Sequence, residues 1–320
     1  MRVVFIGTGE IGAPTLQALL ASKEHEVVGI VTQPDKPVGR SQRVEPSPIK
    51  KAVTHITLPV LQPRKIKDRQ AIEEIVAFAP EVIVVMAYGQ ILPREVLEIP
   101  RLACLNLHAS LLPRWRGAAP IQATIAAGDV ETGITVIYMD EGLDTGDILL
   151  QRKIVIRPNE TGESLHDRLA EIAPKTLIES MRLLSGGDAP RIPQDGALAS
   201  YAPKLNREAG KIDWSEPAET IERKIRAFNA WPGAFTTVTT KSDKAQNLKI
   251  FSAVVVDHRG SPGEIIYADE RRLVIAAGSR ALSLEEVQLE GRRRMSAADL
   301  VRGHPGLAHV GGSSAFRNKA

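Results

Sequence analysis

Apolar runs alternate with helical stretches through the first half of the chain. Arg2–Ile6 precedes a glycine-rich turn, and a helical stretch follows at Pro14–Leu20. Another helix is predicted at Asp68–Phe78. Four more apolar runs predict strands: Val27–Val31, Val82–Met86, Cys104–Leu107 and Ile134–Met139. Because strands alternate with helices, we predict an α/β fold with a Rossmann-like, mostly parallel sheet.

The composition changes near residue 185, where Gly, Ser, Asp and Pro take the place of periodically spaced apolar residues. We expect a first domain over residues 1–184, a linker over 185–206, a second domain over 207–310 and a frayed tail over 311–320. The second domain is expected to be a small, OB-like β-barrel or a sandwich after a short helix. Its predicted elements are the helix Ala218–Ala227 and the strands Ala234–Thr239, Leu248–Val256, Leu273–Ala276 and Ala281–Val287.

Composition excludes several classes of protein. The 320 residues are 43% hydrophobic and 25% charged, which is typical of globular domains. A single cysteine, Cys104, excludes an intramolecular disulfide and a cysteine-based metal cluster and favours the cytoplasm. The chain has neither a membrane-length apolar run nor a signal-peptide core, so we expect it to stay unexported and away from membranes. A net charge of +3 does not by itself indicate a nucleic-acid binder.

The first turn matches a dinucleotide-binding pattern only in part. Gly7, Gly9 and Gly12 have the required spacing after a strand. That pattern also needs an acidic residue where the second strand ends, and this strand ends at Val31-Thr32-Gln33. We therefore expect a tight structural turn and no NAD.

A polar pair lies at the end of a predicted strand. Asn106 and His108 are two positions apart, so in extended chain their side chains leave the same face. Ligands collect at the carboxyl ends of strands in open α/β sheets. An amide beside an imidazole can stabilise an oxygen that becomes negative, and the imidazole can move a proton. A purely structural role for the pair is the alternative.

An acidic loop follows the next predicted strand. Asp140, Glu141, Asp144 and Asp147 lie among glycines, at a spacing that does not fit an EF-hand calcium loop. A magnesium or calcium site is one interpretation. We favour a carboxylate that orients His108 and stabilises its protonated form. The spacing does not show which acid does so.

These two segments resemble the folate-dependent formyltransferases. The shared signature Asn-x-His-x-Ser-Leu-Leu-Pro is present at Asn106–Pro113, and Asp-x-Gly-x-Asp-x-Gly is present at Asp140–Gly146. The resemblance implies a catalytic trio of Asn106, His108 and Asp144, with no metal. It also implies that 10-formyltetrahydrofolate is the co-substrate. The implied folate-binding residues are Met86, Tyr88, Gly89, Ser110, Leu111, Leu112 and Pro113.

Within that superfamily the sequence resembles the branch that formylates methionyl initiator tRNA. The segments that carry this resemblance are Thr32–Arg40, Pro46–Lys50, Arg114–Gln122, Lys211–Trp214 and Arg226–Asn229. It implies formyl transfer to the α-amine of the esterified methionine, through a tetrahedral oxyanion held by Asn106 and His108 while Asp144 orients His108. It also implies a monomer. The sequence departs from the branch at Gly9, where proline is usual, and at Ala230, which replaces the proline before Trp231.

A basic, proline-bearing loop is the candidate contact to RNA. Residues 34–51 carry five basic side chains, and we expect no regular helix or central strand there. Its candidate tRNA-binding residues are Lys36, Arg40 and Arg43, and the cluster Arg292–Arg294 could add phosphate contacts. Three alternatives remain open: a formyltransferase for an amino sugar nucleotide, one for glycinamide ribonucleotide, and a non-catalytic RNA-binding module.

Overall fold

The computed structural model describes residues 1–39, 42–239, 245–304 and 309–310. The chain forms two compact units. The first comprises Met1–Pro120, Val130–Ile156 and Ser164–Pro203; the second comprises Ile121–Asp129, Arg157–Glu163 and the described chain from Lys204 onward. The expected tail, residues 311–320, lies outside the described residues.

The first unit is built on a seven-stranded sheet, with two short pairs of strands beside it. The strands are β1 (Arg2–Gly7), β2 (Glu26–Val31), β3 (Lys36–Val38), β4 (Arg43–Glu45), β5 (Val60–Leu61), β6 (Val82–Met86), β7 (Ala103–His108), β8 (Arg116–Gly117), β9 (Glu131–Tyr138), β10 (Ile148–Val155) and β11 (Tyr201–Ala202). The helices of the described chain are α1 (Ala13–Ala21), α2 (Pro48–Ala52), α3 (Arg69–Ala77), α4 (Arg94–Leu97), α5 (Pro120–Ala127), α6 (Gly162–Gly186), α7 (Ala218–Ala227) and α8 (Ala297–Gly303).

The order of the large sheet is β10-β9-β7-β6-β1-β2-β5. The strands from β5 to β7 pair in parallel, whereas β9 and β10 are antiparallel to their neighbours. The expected α/β fold with a mostly parallel sheet is therefore confirmed. Its central strands are apolar throughout because both faces are covered, and Val3–Ile6 is fully buried. The chain leaves β1 toward β2 on one side and resumes at β6 on the other, which creates a crevice at the carboxyl ends of β1 and β6.

One expectation for the basic loop is wrong. The loop contains a two-stranded antiparallel ribbon of β3 and β4, followed by the short helix α2. Pro48 stands at the start of α2, where a missing N–H costs no hydrogen bond. The Ser47 hydroxyl accepts a hydrogen bond from the Lys50 backbone N–H at 3.1 Å and caps the helix. Proline therefore begins a helix here instead of preventing one.

The second unit is a curled antiparallel sheet packed against α7 and α8, which confirms the expected small β domain. Its strands are β12 (Ala234–Thr239), β13 (Ala245–Val256), β14 (Ile265–Ala268), β15 (Leu273–Ala276), β16 (Ala281–Leu289), β17 (Met295–Ser296) and β18 (His309–Val310). Trp214 is buried in the core, and its indole N–H donates to the Thr236 hydroxyl at 3.0 Å. Among the described residues, no helix is both long and apolar enough to cross a membrane.

Candidate active site

Asn106 and His108 lie on β7, between β6 and β9 in the sheet. Asn106 is half-buried and His108 is 5% exposed. Both side chains reach the same carboxylate, that of Asp144. The structure therefore brings together the three residues that the sequence resemblance singles out.

Asp144 uses both of its carboxylate oxygens. Oδ1 accepts a hydrogen bond from Asn106 Nδ2 at 3.2 Å. Oδ2 lies 3.5 Å from His108 Nδ1 and accepts a hydrogen bond from the Gly117 backbone N–H at 2.8 Å. The side chain of Asp144 is 13% exposed, so water screens these contacts only weakly. One shielded anion thus fixes the amide and the imidazole relative to each other.

The other nitrogen of His108 is held by the main chain. Nε2 lies 2.8 Å from the Trp115 carbonyl oxygen. A carbonyl only accepts hydrogen bonds, so Nε2 is the donor in this contact. Trp115 adopts a left-handed conformation, with φ of 63°, where it makes this contact. The sequence motif indicates His108 but not this carbonyl.

The glycines of the acidic loop allow Asp144 to enter the site. Asp140 Oδ1 accepts hydrogen bonds from the Gly142 N–H at 3.0 Å and from the Thr145 hydroxyl at 2.7 Å. A Cβ atom added at Gly146 would lie 1.7 Å from the Tyr138 carbonyl oxygen. Asp144 itself has a φ of 55°, a backbone conformation that residues other than glycine rarely adopt. Gly146 is therefore a requirement of this turn.

Two polar residues near Asp144 were missed by the sequence analysis. Gln194 Nε2 donates to the main-chain oxygens of Asp144 and Gly146, each at 2.8 Å. Gln194 Oε1 accepts hydrogen bonds from Arg116 Nη2 at 2.7 Å and Nε at 3.1 Å. Arg116 lies in a segment that carries the family resemblance, whereas Gln194 lies in the segment expected to be a linker. No sequence pattern pointed to Gln194.

The turn after β6 lies beside the turn after β1. The N–H groups of Thr8 and Gly9 donate to the Ala87 carbonyl oxygen at 3.2 and 3.1 Å. Met86 is 1% exposed, and Tyr88 is 3% exposed. Burial raises the pKa of the Tyr88 hydroxyl to about 12. The Tyr88 ring packs into the hydrophobic core of the unit.

The segment after β7 is held at several points. Ser110 is fully buried, and its hydroxyl donates to the Arg114 carbonyl oxygen at 2.6 Å. The Leu112 N–H donates to the Thr135 hydroxyl at 3.1 Å, and Leu112 is 3% exposed. Leu111 and Pro113 are half-buried. Ser110 and Leu112 therefore fix the conformation of the segment. Leu111 and Pro113 are apolar side chains that remain partly exposed.

Lys36 and Arg43 lie on the β3–β4 ribbon with exposed side chains, and Arg40 lies outside the described residues. Lys36 Nζ donates to Gln33 Oε1 at 2.5 Å. Gln33 Nε2 donates in turn to the Tyr88 carbonyl oxygen at 2.8 Å. A chain of two hydrogen bonds thus joins the ribbon to the turn after β6.

Lys50 ties down the base of the same loop. Its ammonium group donates to Asp35 Oδ2 at 2.8 Å and to Gln62 Oε1 at 2.7 Å. The hydrogen bond from Lys50 lowers the pKa of the Asp35 carboxyl group, and a hydrogen bond from Gln62 adds to this effect. Lys50 thus supports the loop internally, whereas the side chains of Lys36 and Arg43 are exposed.

The acidic loop does not form a metal site in the part of the chain that the structure describes. No group of three or more His, Cys, Asp or Glu side chains could hold an ion within those residues. Asp140 is instead occupied by the two hydrogen bonds that close its own turn.

Comparison with known proteins identifies two matching families. Residues 1–181 match the family described as formyl transferase, and residues 204–305 match the formyl transferase C-terminal domain. A methionyl-tRNA formyltransferase of Methylacidiphilum infernorum is 50% identical over 306 residues, which cover 95% of each chain. One from Pseudomonas fluorescens strain SBW25 is 47% identical and covers 94% of this chain and 93% of its own.

Solved structures share the fold. A methionyl-tRNA formyltransferase from Clostridium thermocellum superposes with a TM-score of 0.55 at 21% sequence identity. The match covers 80% of this chain and 94% of that one, and at this identity it bears on the fold alone. Both halves of the chain match formyl transferase domains, and its curated relatives are about half identical over nearly the full length. The chain therefore belongs to the methionyl-tRNA formyltransferase family.

Proposed function

We propose that the protein transfers the formyl group of 10-formyltetrahydrofolate to the α-amine of methionine on initiator tRNA. The observation that carries this proposal is the shielded Asp144 carboxylate, which holds Asn106 at 3.2 Å and His108 at 3.5 Å. These groups match the two needs of formyl transfer, since an oxyanion must be stabilised and a proton must be removed from nitrogen.

Asn106 stabilises the oxyanion. The amine nitrogen attacks the formyl carbon, and the π electrons of the carbonyl move to oxygen to give a tetrahedral adduct. The side-chain amide of Asn106 has two N–H bonds, of which one is directed to Asp144. The second N–H donates to the oxyanion. Since Asp144 holds the amide in advance, little reorganisation is needed when the charge develops.

His108 and Asp144 handle the proton. The attacking nitrogen must lose a proton, and a water molecule relays it to His108 beside the Asp144 carboxylate. The resulting imidazolium lies 3.5 Å from the Asp144 carboxylate, which stabilises its charge. Collapse of the adduct breaks the bond from the formyl carbon to N10 of the folate, and the proton then passes to that nitrogen. The products are formylmethionyl-tRNA and tetrahydrofolate.

We assign the folate co-substrate to the crevice at the carboxyl ends of β1 and β6. We assign the hydrogen-bonding edge of the pterin ring to the turn after β6, near Ala87 and Gly89. Leu111 and Pro113 offer an apolar wall. Met86, Tyr88, Ser110 and Leu112 support these surfaces from within the core. Some of the predicted folate-binding residues would therefore contact the folate, and the others would support those that do.

The tRNA partner is recognised in part through phosphate. Lys36 and Arg43 present exposed charges on the β3–β4 ribbon, and we include Arg40 between them from the sequence alone. Arg292 and Arg293 are exposed, whereas Arg294 pairs with Glu286 at 2.6 Å. The first two are therefore the better candidates for phosphate contacts in the second unit.

A direct assay tests the proposal against its rivals. The purified protein is incubated with radiolabelled 10-formyltetrahydrofolate and either methionyl initiator tRNA, a nucleotide-linked amino sugar or glycinamide ribonucleotide. We expect label in methionyl-tRNA alone. Transfer to either small molecule would reassign the acceptor. Binding of tRNA without transfer to any acceptor would support the non-catalytic alternative.

A further inference from the structure

Gln194 occupies a position between a buried cation and the main chain of the acidic loop. Arg116 is 6% exposed, and its guanidinium donates twice to Gln194 Oε1. A guanidinium only donates hydrogen bonds, so the amide oxygen must face it. The amide nitrogen consequently faces the other way, toward the carbonyl oxygens of Asp144 and Gly146 at 2.8 Å each. Arg116 thus sets the orientation of the amide without ambiguity.

The same amide acts on the strained point of the loop. Asp144 has a φ of 55°, which is unfavourable for a residue with a Cβ atom. Its carbonyl oxygen and that of Gly146, two residues later, are held by the two N–H bonds of one Gln194 side chain. This pair of bonds opposes relaxation of Asp144 to an extended conformation. Such relaxation would rotate the carboxylate away from Asn106 and His108.

Arg116 is itself held through its main chain. Its backbone N–H donates to the Ser200 carbonyl oxygen at 2.8 Å, and β8 pairs in parallel with β11. The next residue, Gly117, donates its N–H to Asp144 Oδ2 at 2.8 Å. The carboxylate and the main chain of Asp144 are therefore held from one short segment, directly by Gly117 and through Gln194 by Arg116.

We infer that Gln194, oriented by Arg116, is a positioning residue for formyl transfer, which holds Asp144 in the conformation that serves Asn106 and His108. This inference rests on the proposed function. Gln194 contacts the main chain of Asp144 and not the reacting atoms, so it acts on the chemical step through Asp144. Small displacements of a catalytic group cost rate more than affinity, by up to about 10²-fold for about 1 Å.

The test replaces Gln194 by methionine, which has a similar length but no amide. Saturating formylation of methionyl-tRNA is measured for Gln194→Met, with Gln70→Met as a matched control because Gln70 is an exposed glutamine on α3. We expect kcat of Gln194→Met to fall about 10- to 100-fold while both KM values stay within about threefold. Gln70→Met should behave as the unchanged protein. A kcat within twofold of the unchanged protein would overturn the inference.

A double variant separates positioning from general support. In an Asp144→Asn background the carboxylate is already lost, so Gln194→Met should lower kcat by less than about twofold further. Losses that multiply in full would show that Gln194 acts independently of Asp144 and would overturn the inference. If Gln194→Met shows no cooperative thermal transition, Gln194→Glu takes its place. That variant keeps an oxygen for Arg116 but turns a second oxygen toward two carbonyl groups, and the same losses are expected.

The two proposals fail in different ways. If the unchanged protein does not formylate methionyl-tRNA, the proposed function is wrong. If the unchanged protein is active and Gln194→Met is equally active, only the role of Gln194 is wrong.

Discussion

Asp144 receives contacts from three separate parts of the first unit. Asn106 and His108 approach from β7, Gly117 from β8, and Gln194 holds the main chain from beyond α6. Asp144 is therefore the residue through which these parts of the site are connected. Its carboxylate is nearly enclosed, so each of these contacts keeps more of its electrostatic strength than it would in water.

Replacing Asn106 tests the oxyanion role at this scale. We expect Asn106→Ala to lower the single-turnover rate of formylation about 10²- to 10³-fold, because one oxyanion donor is lost. Folate affinity should change by less than about threefold. The measurements are rapid-quench formylation and folate binding by fluorescence. Normal single-turnover chemistry combined with weak folate binding would assign Asn106 to substrate binding instead.

The residues of the site differ in how far sequence could predict them. Asn106 and His108 follow from strand periodicity, since residues two apart share a face. Among the four acids of the loop, spacing alone left the choice open, and only the resemblance selected Asp144. Trp115 and Gln194 act through a main-chain carbonyl and an unremarkable amide. Such contacts depend on tertiary geometry and leave no signal in composition or spacing.

The acidic loop is an element whose shape depends on glycine. A Cβ atom at Gly146 would lie 1.7 Å from the Tyr138 carbonyl oxygen, whereas nothing lies within 4 Å of the equivalent atom at Gly196. The loop between β9 and β10 must therefore move if Gly146 is enlarged.

Gly146→Ala should destabilise the protein by about 1–3 kcal/mol through this clash. It should also reduce kcat, because Asp144 is two residues away. Urea unfolding and steady-state formylation measure the two effects, and Gly196→Ala is the matched control. Equal stability of the two variants would contradict the packing at Gly146.

The β3–β4 ribbon is an element expected to meet RNA. We expect Arg43→Ala to raise KM for methionyl-tRNA and leave KM for folate unchanged. If Arg43 contacts phosphate, the slope of log affinity against log salt should become shallower by about 0.7–0.9. Filter binding over a salt series measures this slope. Arg69→Ala, at an exposed position on α3, is the control, and an identical slope for both variants would remove Arg43 from the interface.

Sequence patterns predicted the positions of the strands better than the directions in which the strands pair. Apolar runs located β1, β2, β6, β7 and β9 to within a few residues, because buried strands must be apolar. The sequence pattern does not predict β10, because this strand contains polar and charged residues among its apolar ones. The antiparallel direction of β9 also depends on the path of the intervening chain, which hydrophobic periodicity does not encode. The helix α2 is hard to predict because proline is compatible with the first turn of a helix and yet disrupts its interior.

At the scale of the whole molecule, stability is linked to the only cysteine of the chain. Cys104 lies on β7 and is 6% exposed. Burial raises the pKa of its thiol from 9.0 to about 12. The folded protein therefore keeps this proton at pH values where the unfolded chain releases it. The contribution of Cys104 to folding free energy is complete below pH 9 and declines as the pH rises toward 12.

Cys104→Ala should remove this dependence. Between pH 9 and pH 10, the unfolding free energy of the unchanged protein should fall by about 1 kcal/mol more than that of the variant. Urea titrations at the two pH values measure the difference. Parallel decline of both proteins would show that the thiol ionises as readily when folded as when unfolded.

The contacts made by the stretch between α6 and Lys204 determine which of its residues can be substituted within this family. Gln194 reaches Asp144, Ser200 bonds to Trp115 and Arg116, and Ala202 pairs with Gly117. Around these anchors the chain is largely exposed, as at Leu198. Substitution should therefore be tolerated at most positions of this stretch and least at Gln194 and Ser200, whose side chains make these contacts. A stretch whose composition resembles a linker thus contains the residue that we infer to position Asp144.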